Sequence, residues 1–203
     1  MDLSEGVLDV ARRRAAEAGL ANYAFIRASA LALPFGPDEF DAVVSNMVLQ
    51  LIPDQRKALA EVERVLKPGG RAVLQLQGGG KVAQEWMQVF RRAWREVLPE
   101  REPPSLCHEI TVEDAAAHLV GLGIEDFDIS WRHRVRWVAP ADVPRFLEFI
   151  RLVTGFWQCG VEEPAARRID ALVTQGVKEA AEAAGFFTNT VNVLTLEFAK
   201  PRP

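Results

Sequence analysis

Residues 40–76, FDAVVSNMVLQLIPDQRKALAEVERVLKPGGRAVLQL, constrain this chain more than any other stretch. Ala42-Val43-Val44 is a short apolar run, the pattern of a strand covered on both faces. Pro53 and Asp54 open a helix, with Asp54 as its cap. Leu59, Val62, Val65 and Leu66 recur at helical spacing and give that helix one buried stripe. Lys67 suits the negative carboxyl end of the helix. Pro68-Gly69-Gly70 stops it, and Ala72-Val73-Leu74 begins a second apolar strand. Two buried strands joined by an amphipathic helix make a βαβ unit, so the pair is expected to be parallel.

Around this unit the chain alternates in the same way. Ser4 caps a helix whose stripe is Val7, Leu8, Ala11, Ala15 and Ala18, ended by Gly19. Residues 23–26 read as a short strand, followed by a loop to Leu33. Beyond Gly78-Gly79-Gly80, a flexible link without the Lys-Ser/Thr of a phosphate loop, a helix carries Val82, Trp86, Val89, Phe90, Ala93 and Val97 inward. Thr111 and Asp114 form a capping box for a helix that Gly121 and Gly123 end. Residues 127–137 alternate strictly, with Phe127, Ile129, Trp131, His133, Val135 and Trp137 on one face. Arg132, Arg134 and Arg136 lie on the other, either solvated or facing an acidic substrate. Residues 140–185 read as two helices. Asp142 caps the first, with Phe146, Phe149, Ile150 and Val153 inward; Pro164 and Gly185 bracket the second. Residues 192–199 return as a strand, antiparallel and at or near the sheet edge.

Composition narrows the class. With 203 residues there is room for one domain, and 49% hydrophobic with 26% charged residues is globular composition. A net charge of -4 argues against wholesale nucleic-acid binding. No apolar run approaches the roughly 20 residues of a membrane span. Cys107 and Cys159 lie too far apart for a metal motif and read as thiols in a reducing cytosol. The expected setting is cytoplasmic.

FDAVVSN, LIPD and RVLKPGG, in that order, resemble the middle of the class I S-adenosylmethionine-dependent methyltransferases. The group is that of methyltransferase type 11, which includes the ubiquinone/menaquinone methyltransferases and the biotin-pathway carrier-protein methyltransferase. DLSEGVLDVAR and ALPFGPDEFD resemble the same family at the right spacing. The likeness is tight over roughly the first 80 residues and loose beyond. It implies an α/β, Rossmann-like sheet, S-adenosyl-L-methionine as cofactor, and methyl transfer to a small-molecule acceptor. Residues 1–203 are then one domain, with a cofactor half (1–80) and an acceptor half (81–203) carrying a helical cap at about 140–185.

The resemblance also assigns residues. Asp2 ends the family's second strand, where its carboxylate accepts hydrogen bonds from the two ribose hydroxyls; read without the family, it is a frayed terminal acid. Leu3 lies against the adenine. Ser29 stands where the family often has an aspartate for the adenine amino group, leaving that contact to its hydroxyl or to the backbone of Ala30 and Leu31. Asn46 and Met47 follow the central strand at its carboxyl end, where open parallel sheets bind ligands. Gln50 begins the wall between cofactor and acceptor. Trp137, Phe156 and Trp157 line the acceptor pocket or, equally, pack in the core. His108 is the histidine to test as a base, although a sulfonium donor needs positioning more than a base.

The family's glycine-rich cofactor turn, which follows its first strand, belongs before the DLS segment. The sheet is therefore expected to lack its first strand and most of its second, leaving an apolar edge bare. Met1 stands where the family has valine, isoleucine or leucine, so an apolar strand and a glycine-rich turn are expected to be encoded upstream in frame. Two rival readings stay open: a non-catalytic remnant acting as a binding or scaffold domain, and a fragment of a nicotinamide oxidoreductase, which RVLKPGG fits poorly.

Overall fold

The structure, a computed structural model, describes residues 1–78, 85–105, 108, 110–154 and 160–202, with backbone alone for 152–154. Its helices are α1 (Glu5–Glu17), α2 (Gln55–Val65), α3 (Glu85–Val97), α4 (Val112–Val120), α5 (Val143–Thr154) and α6 (Glu163–Ala184). Its strands are β1 (Phe40–Asn46), β2 (Leu66–Gln77), β3 (Phe127–Val138) and β4 (Phe187–Ala199). They form one open four-stranded sheet in the order β1-β2-β4-β3. β1 and β2 are parallel, with Val43 opposite Ala72 and Asn46 opposite Gln75. α2 connects them, as the βαβ reading required. β4 runs antiparallel to β2: Lys200 N–H reaches the Gly70 carbonyl at one end, and Gly78 N–H reaches the Asn192 carbonyl at the other. β4 is thus one strand in from the edge, and β3 is the edge itself.

The chain divides into two compact units. One comprises Met1–Gln75, Glu113–Ile129 and Thr195–Pro203; the other comprises Leu76–Val112 and Ser130–Leu194.

In the first unit, Asp54 caps α2 by accepting from Lys57 N–H at 3.0 Å. Ala58, Leu59, Val62 and Val65 fill its buried stripe. The RVLKPGG segment differs from expectation. The helix ends at Val65, and Leu66 already pairs with Phe40; the next pair is Ala42 with Arg71. Residues 67–70 therefore bulge out of the ladder instead of forming a turn before it. Gly69 adopts φ +79. A Cβ on Gly70 would lie 2.9 Å from the Lys67 carbonyl and 3.1 Å from those of Phe40 and Asp41. Close backbone approach is why glycine stands there. Lys67 turns away to Asp41 at 2.8 Å. The cation at the carboxyl end of α2 is instead Lys200, whose Nζ donates to the carbonyls of Glu63 (3.1 Å) and Arg64 (3.3 Å). It also pairs with Asp38 at 2.9 Å and Glu63 at 3.4 Å. Burial acts to lower the Lys200 pKa, but the bond to Asp38 and the charge of Glu63 outweigh it and hold the ammonium above its ordinary range.

Two further expectations change in this unit. Of the α1 stripe only Leu8 and Ala15 are buried. Residues 23–26 form no strand; what remains is an isolated parallel bridge between Asp2 and Arg27. β1 has no partner on its outer edge among the described residues, and Val44 there is 76% exposed.

The second unit holds a continuous core. Trp86, Met87, Phe90, Ala93 and Trp94 of α3 pack with Phe146, Leu147 and Ile150 of α5, Ile169, Val173 and Val177 of α6, and Phe187 of β4. Phe149, expected inward, is half-exposed. Asp142 belongs to a short 3-10 turn, Pro140–Asp142, and does not cap α5. Pro164 sits in the first turn of α6 and Gly185 closes it at φ +80, as read from sequence. Along β3 the apolar face is not buried: residues 131–137 are all exposed. Val82, Gly79, Gly80, Cys107, Cys159 and the side chain of Val153 lie outside the described residues.

Candidate functional site

The candidate residues fall into two knots, both in the first unit. The first surrounds Asp2. Its backbone is bridged to the next segment by Asp2 N–H to the Ile26 carbonyl (3.3 Å) and Ala28 N–H to the Asp2 carbonyl (3.1 Å). Arg27 Nε donates to the Leu3 carbonyl at 3.0 Å. Asp2 Oδ1 accepts from Ser4 N–H at 2.8 Å, and Ser4 Oγ in turn accepts from Val7 N–H, starting α1. The carboxylate is thus fixed at a helix amino terminus with its second oxygen available. Leu3 beside it is 64% exposed. Ser29, Ala30 and Leu31 lie in one half-buried turn: Ser29 Oγ accepts from Leu31 N–H at 3.2 Å, and Ala32 N–H reaches the Ser29 carbonyl. The Leu31 N–H is therefore already engaged, while the Ser29 hydroxyl keeps its own proton to donate.

Glu61 and Arg64 hold the following loop, a role not read from sequence. Glu61 Oε2 accepts from Leu33 N–H at 2.6 Å, and Arg64 donates to the carbonyls of Phe35 (2.8 Å) and Leu33 (3.1 Å) while gripping Glu61 through both carboxylate oxygens. The hydrogen bond from Arg64 keeps the Glu61 carboxyl below its usual range. The signal was present as an acid and a base three apart on one helix.

The second knot closes the carboxyl ends of β1 and β2. Met47 adopts φ +57, a left-handed conformation that costs a non-glycine residue energy. Its N–H donates to the Gln75 carbonyl at 2.6 Å, and its own carbonyl accepts from Gln50 Nε2 at 3.0 Å. Gln50 is 5% exposed. Its amide braces Met47. Asn46, just before, is exposed. The Gln75 carbonyl was missed in the sequence, since any residue at that place supplies one. Elsewhere, Trp137 is 65% exposed and stacks on Phe186 at 4.4 Å. His108 is exposed. Phe156 and Trp157 lie outside the described residues. A cavity of about 620 Å³ lies at the other end of the parallel pair, among Gly69, Gly123, Asp126, Lys200 and Arg202. It lies opposite the carboxyl ends, where ligands of parallel sheets bind.

Residues 1–74 match the family described as a methyltransferase domain. A demethylmenaquinone methyltransferase of Listeria monocytogenes is 37% identical over 99 residues, covering 49% of this chain and 41% of that protein. The chain thus spans about two-fifths of the length of that curated relative. The structure of a Haemonchus contortus phosphoethanolamine N-methyltransferase 2 in complex with S-adenosyl-L-methionine aligns with a TM-score of 0.57 at 22% identity, over 98% of this chain and 42% of that one. The [4+2]-cyclase SpnF aligns with a TM-score of 0.57 at 20% identity, over 99% of this chain and 64% of that one. Residues 1–74 are thus similar to a methyltransferase domain, and the fold is that of the solved methyltransferases. The first half is similar to a demethylmenaquinone methyltransferase, of which the chain covers 41%.

Proposed function

We propose that this protein transfers a methyl group from S-adenosylmethionine to a small-molecule acceptor, an aromatic quinone of the kind named in its Listeria relative. The observation that carries this reading is Met47, a strained residue braced from both sides at the carboxyl end of a parallel strand pair. Strain maintained by surrounding hydrogen bonds is a mark of a functional position. The donor set fits the cofactor: Asp2 has one carboxylate oxygen free for a vicinal diol, Leu3 offers an exposed apolar surface for adenine, and Ser29 keeps a donor. Asn46 and Met47 hold the methionine end. When bound, the cofactor supplies an already activated methyl group. The chain's own work is then to bind, orient and exclude water. Residues 1–80 serve as the cofactor half and 81–203 as the acceptor half, with residues 140–185 as the cap and a cytoplasmic setting. Among the described residues no helix is long and apolar enough to cross a membrane.

A second reading, a binding domain without turnover, is favoured by the bare outer edge of β1. One experiment separates the two, and the oxidoreductase as well. The chain is titrated with S-adenosylmethionine and with NADH by calorimetry, then incubated with S-adenosylmethionine and demethylmenaquinone chemically reduced to its quinol, whose electron-rich ring carbon takes the methyl group and gives up its proton. A one-methyl mass gain on the quinone supports the enzyme. Cofactor binding with no gain on any quinone supports the binding domain, and NADH binding alone overturns both.

A further inference from the structure

We propose that edge strand β3 is a docking surface for an anionic phospholipid bilayer. Residues 131–137 are all exposed, seven in succession. Trp131, Val135 and Trp137 are 47%, 50% and 65% exposed. Alternation puts them on one face with His133. Trp131 meets the His133 ring edge-on at 4.5 Å, and Trp137 stacks on the half-exposed Phe186. The His133 Nδ1–H donates to Asn192 Oδ1, tying this face back to β4. The apolar surface is therefore held in place and open.

The opposite face carries Arg132, Arg134 and Arg136. None of the three has an ion pair or a hydrogen bond among the described residues. Asp128 lies on the same face, two positions beyond Ser130. Three unneutralised guanidiniums thus stand together on a chain whose net charge is -4.

Two physical preferences then coincide. Indole rings favour the headgroup level of a bilayer, with an apolar body and a polar tip. Guanidiniums on flexible stems reach anionic phosphates from beside an apolar surface. A strand approaching edge-on lets both faces act together. Single-stranded nucleic acid fits less well, because stacking platforms set their cations in the same groove as the rings, whereas here rings and arginines occupy opposite faces. The proposal goes beyond the methyl-transfer reading and stands without it, since docking is measured with neither cofactor nor acceptor.

The full chain is sedimented with vesicles of phosphatidylcholine alone and of phosphatidylcholine with phosphatidylglycerol in equal parts. It is expected to bind the mixed vesicles at least tenfold more tightly, with a blue shift of tryptophan emission, and to lose most of that binding in half-molar salt. R132Q/R134Q/R136Q should abolish the preference for anionic vesicles. W137A should reduce the blue shift and weaken binding severalfold. Both variants should keep the circular dichroism and melting temperature of the parent. The single variant R134Q, expected to weaken binding about threefold, serves if the triple variant does not fold. Absence of binding to the anionic vesicles, equal binding by the charge variants, or tighter binding to an oligothymidine than to vesicles each overturns the proposal.

Discussion

In the unit built on Met1–Gln75, Leu3, Val7 and Val44 are 64%, 53% and 76% exposed; in the unit built on Leu76–Val112 and Ser130–Leu194, Trp86, Phe90 and Phe146 are 3%, 1% and 1% exposed. The first unit carries the segments by which the chain is recognised. Both bury apolar side chains, but those of the second form one continuous cluster rich in aromatic rings. The contrast separates two kinds of information. Family-like residues such as Asp54, Gly70 and Met47 answer demands of the backbone: a cap, a close approach, a left-handed turn. Core residues answer a demand for volume and apolarity, which many side chains meet. A sequence is therefore most legible where its backbone is most constrained, and that need not be where its stability lies.

The contrast can be tested, beginning with the largest effect. Phe90→Ala empties a fully buried aromatic site and is expected to cost about 3–5 kcal/mol by denaturant unfolding. A cost under about 1 kcal/mol would show that the second core is looser than its burial implies. Asp2→Asn keeps the acceptor for Ser4 N–H but removes the charge. It should weaken S-adenosylmethionine by about 1.5–3 kcal/mol in a calorimetric titration, with little change in melting temperature; unchanged affinity removes Asp2 from the site. Gly70→Ala drives a methyl group against three carbonyl oxygens and should cost about 1–3 kcal/mol. A neutral result there would mean that the glycine answers no steric demand.

Glu61→Gln should cost about 1.5 kcal/mol at neutral pH, the scale of a hydrogen bond to a charged group. Because Arg64 holds the Glu61 pKa below the ordinary value of about 4.3, the carboxylate's contribution is complete above that value. It is lost as pH falls through the lower folded value. The gap between parent and variant should therefore shrink below about pH 4, and a gap that stays constant to pH 2 assigns the effect to something other than charge. The smallest effect is expected at Val44→Thr, below about 0.5 kcal/mol for an exposed residue. A cost above about 1.5 kcal/mol would reveal that the β1 edge is covered in solution, and would erase much of the contrast.

The βαβ unit, the Asp54 cap, the Ser4 cap and the Gly185 stop were all readable because each depends on residues close in sequence. The Lys67 assignment failed for the opposite reason. Its place at the end of α2 is taken by Lys200, more than a hundred residues away, and local spacing cannot rank a near cation against a distant one. Residues 23–26 have strand-like composition but form no strand, and the one bridge, between Asp2 and Arg27, falls just beyond them; a strand exists through its neighbour, which composition does not supply. Asp2, Ser29 and Met47 are proposed through family resemblance, whereas the bracing amide of Gln50 and the carbonyl of Gln75 required the three-dimensional turn. The exposure of Trp131 and Trp137 was hidden because alternation reveals that a face is apolar, not that anything covers it.

The strand order bears on how the chain is made. β4 follows β3 in the chain, yet it lies between β2 and β3. Until residues 187–199 have been synthesised, the backbone N–H and C=O groups along the second edge of β2 have no strand to pair with, and β3 has no place in the sheet. The earlier segments can form helices and the β1–β2 pair co-translationally, but closure of this sheet waits for residues 187–199. Pairing residues this distant in sequence is slow, and an unpaired apolar strand is the surface on which nascent chains aggregate or recruit chaperones. A ribosome stalled before Phe187 therefore presents a chain with a sticky middle.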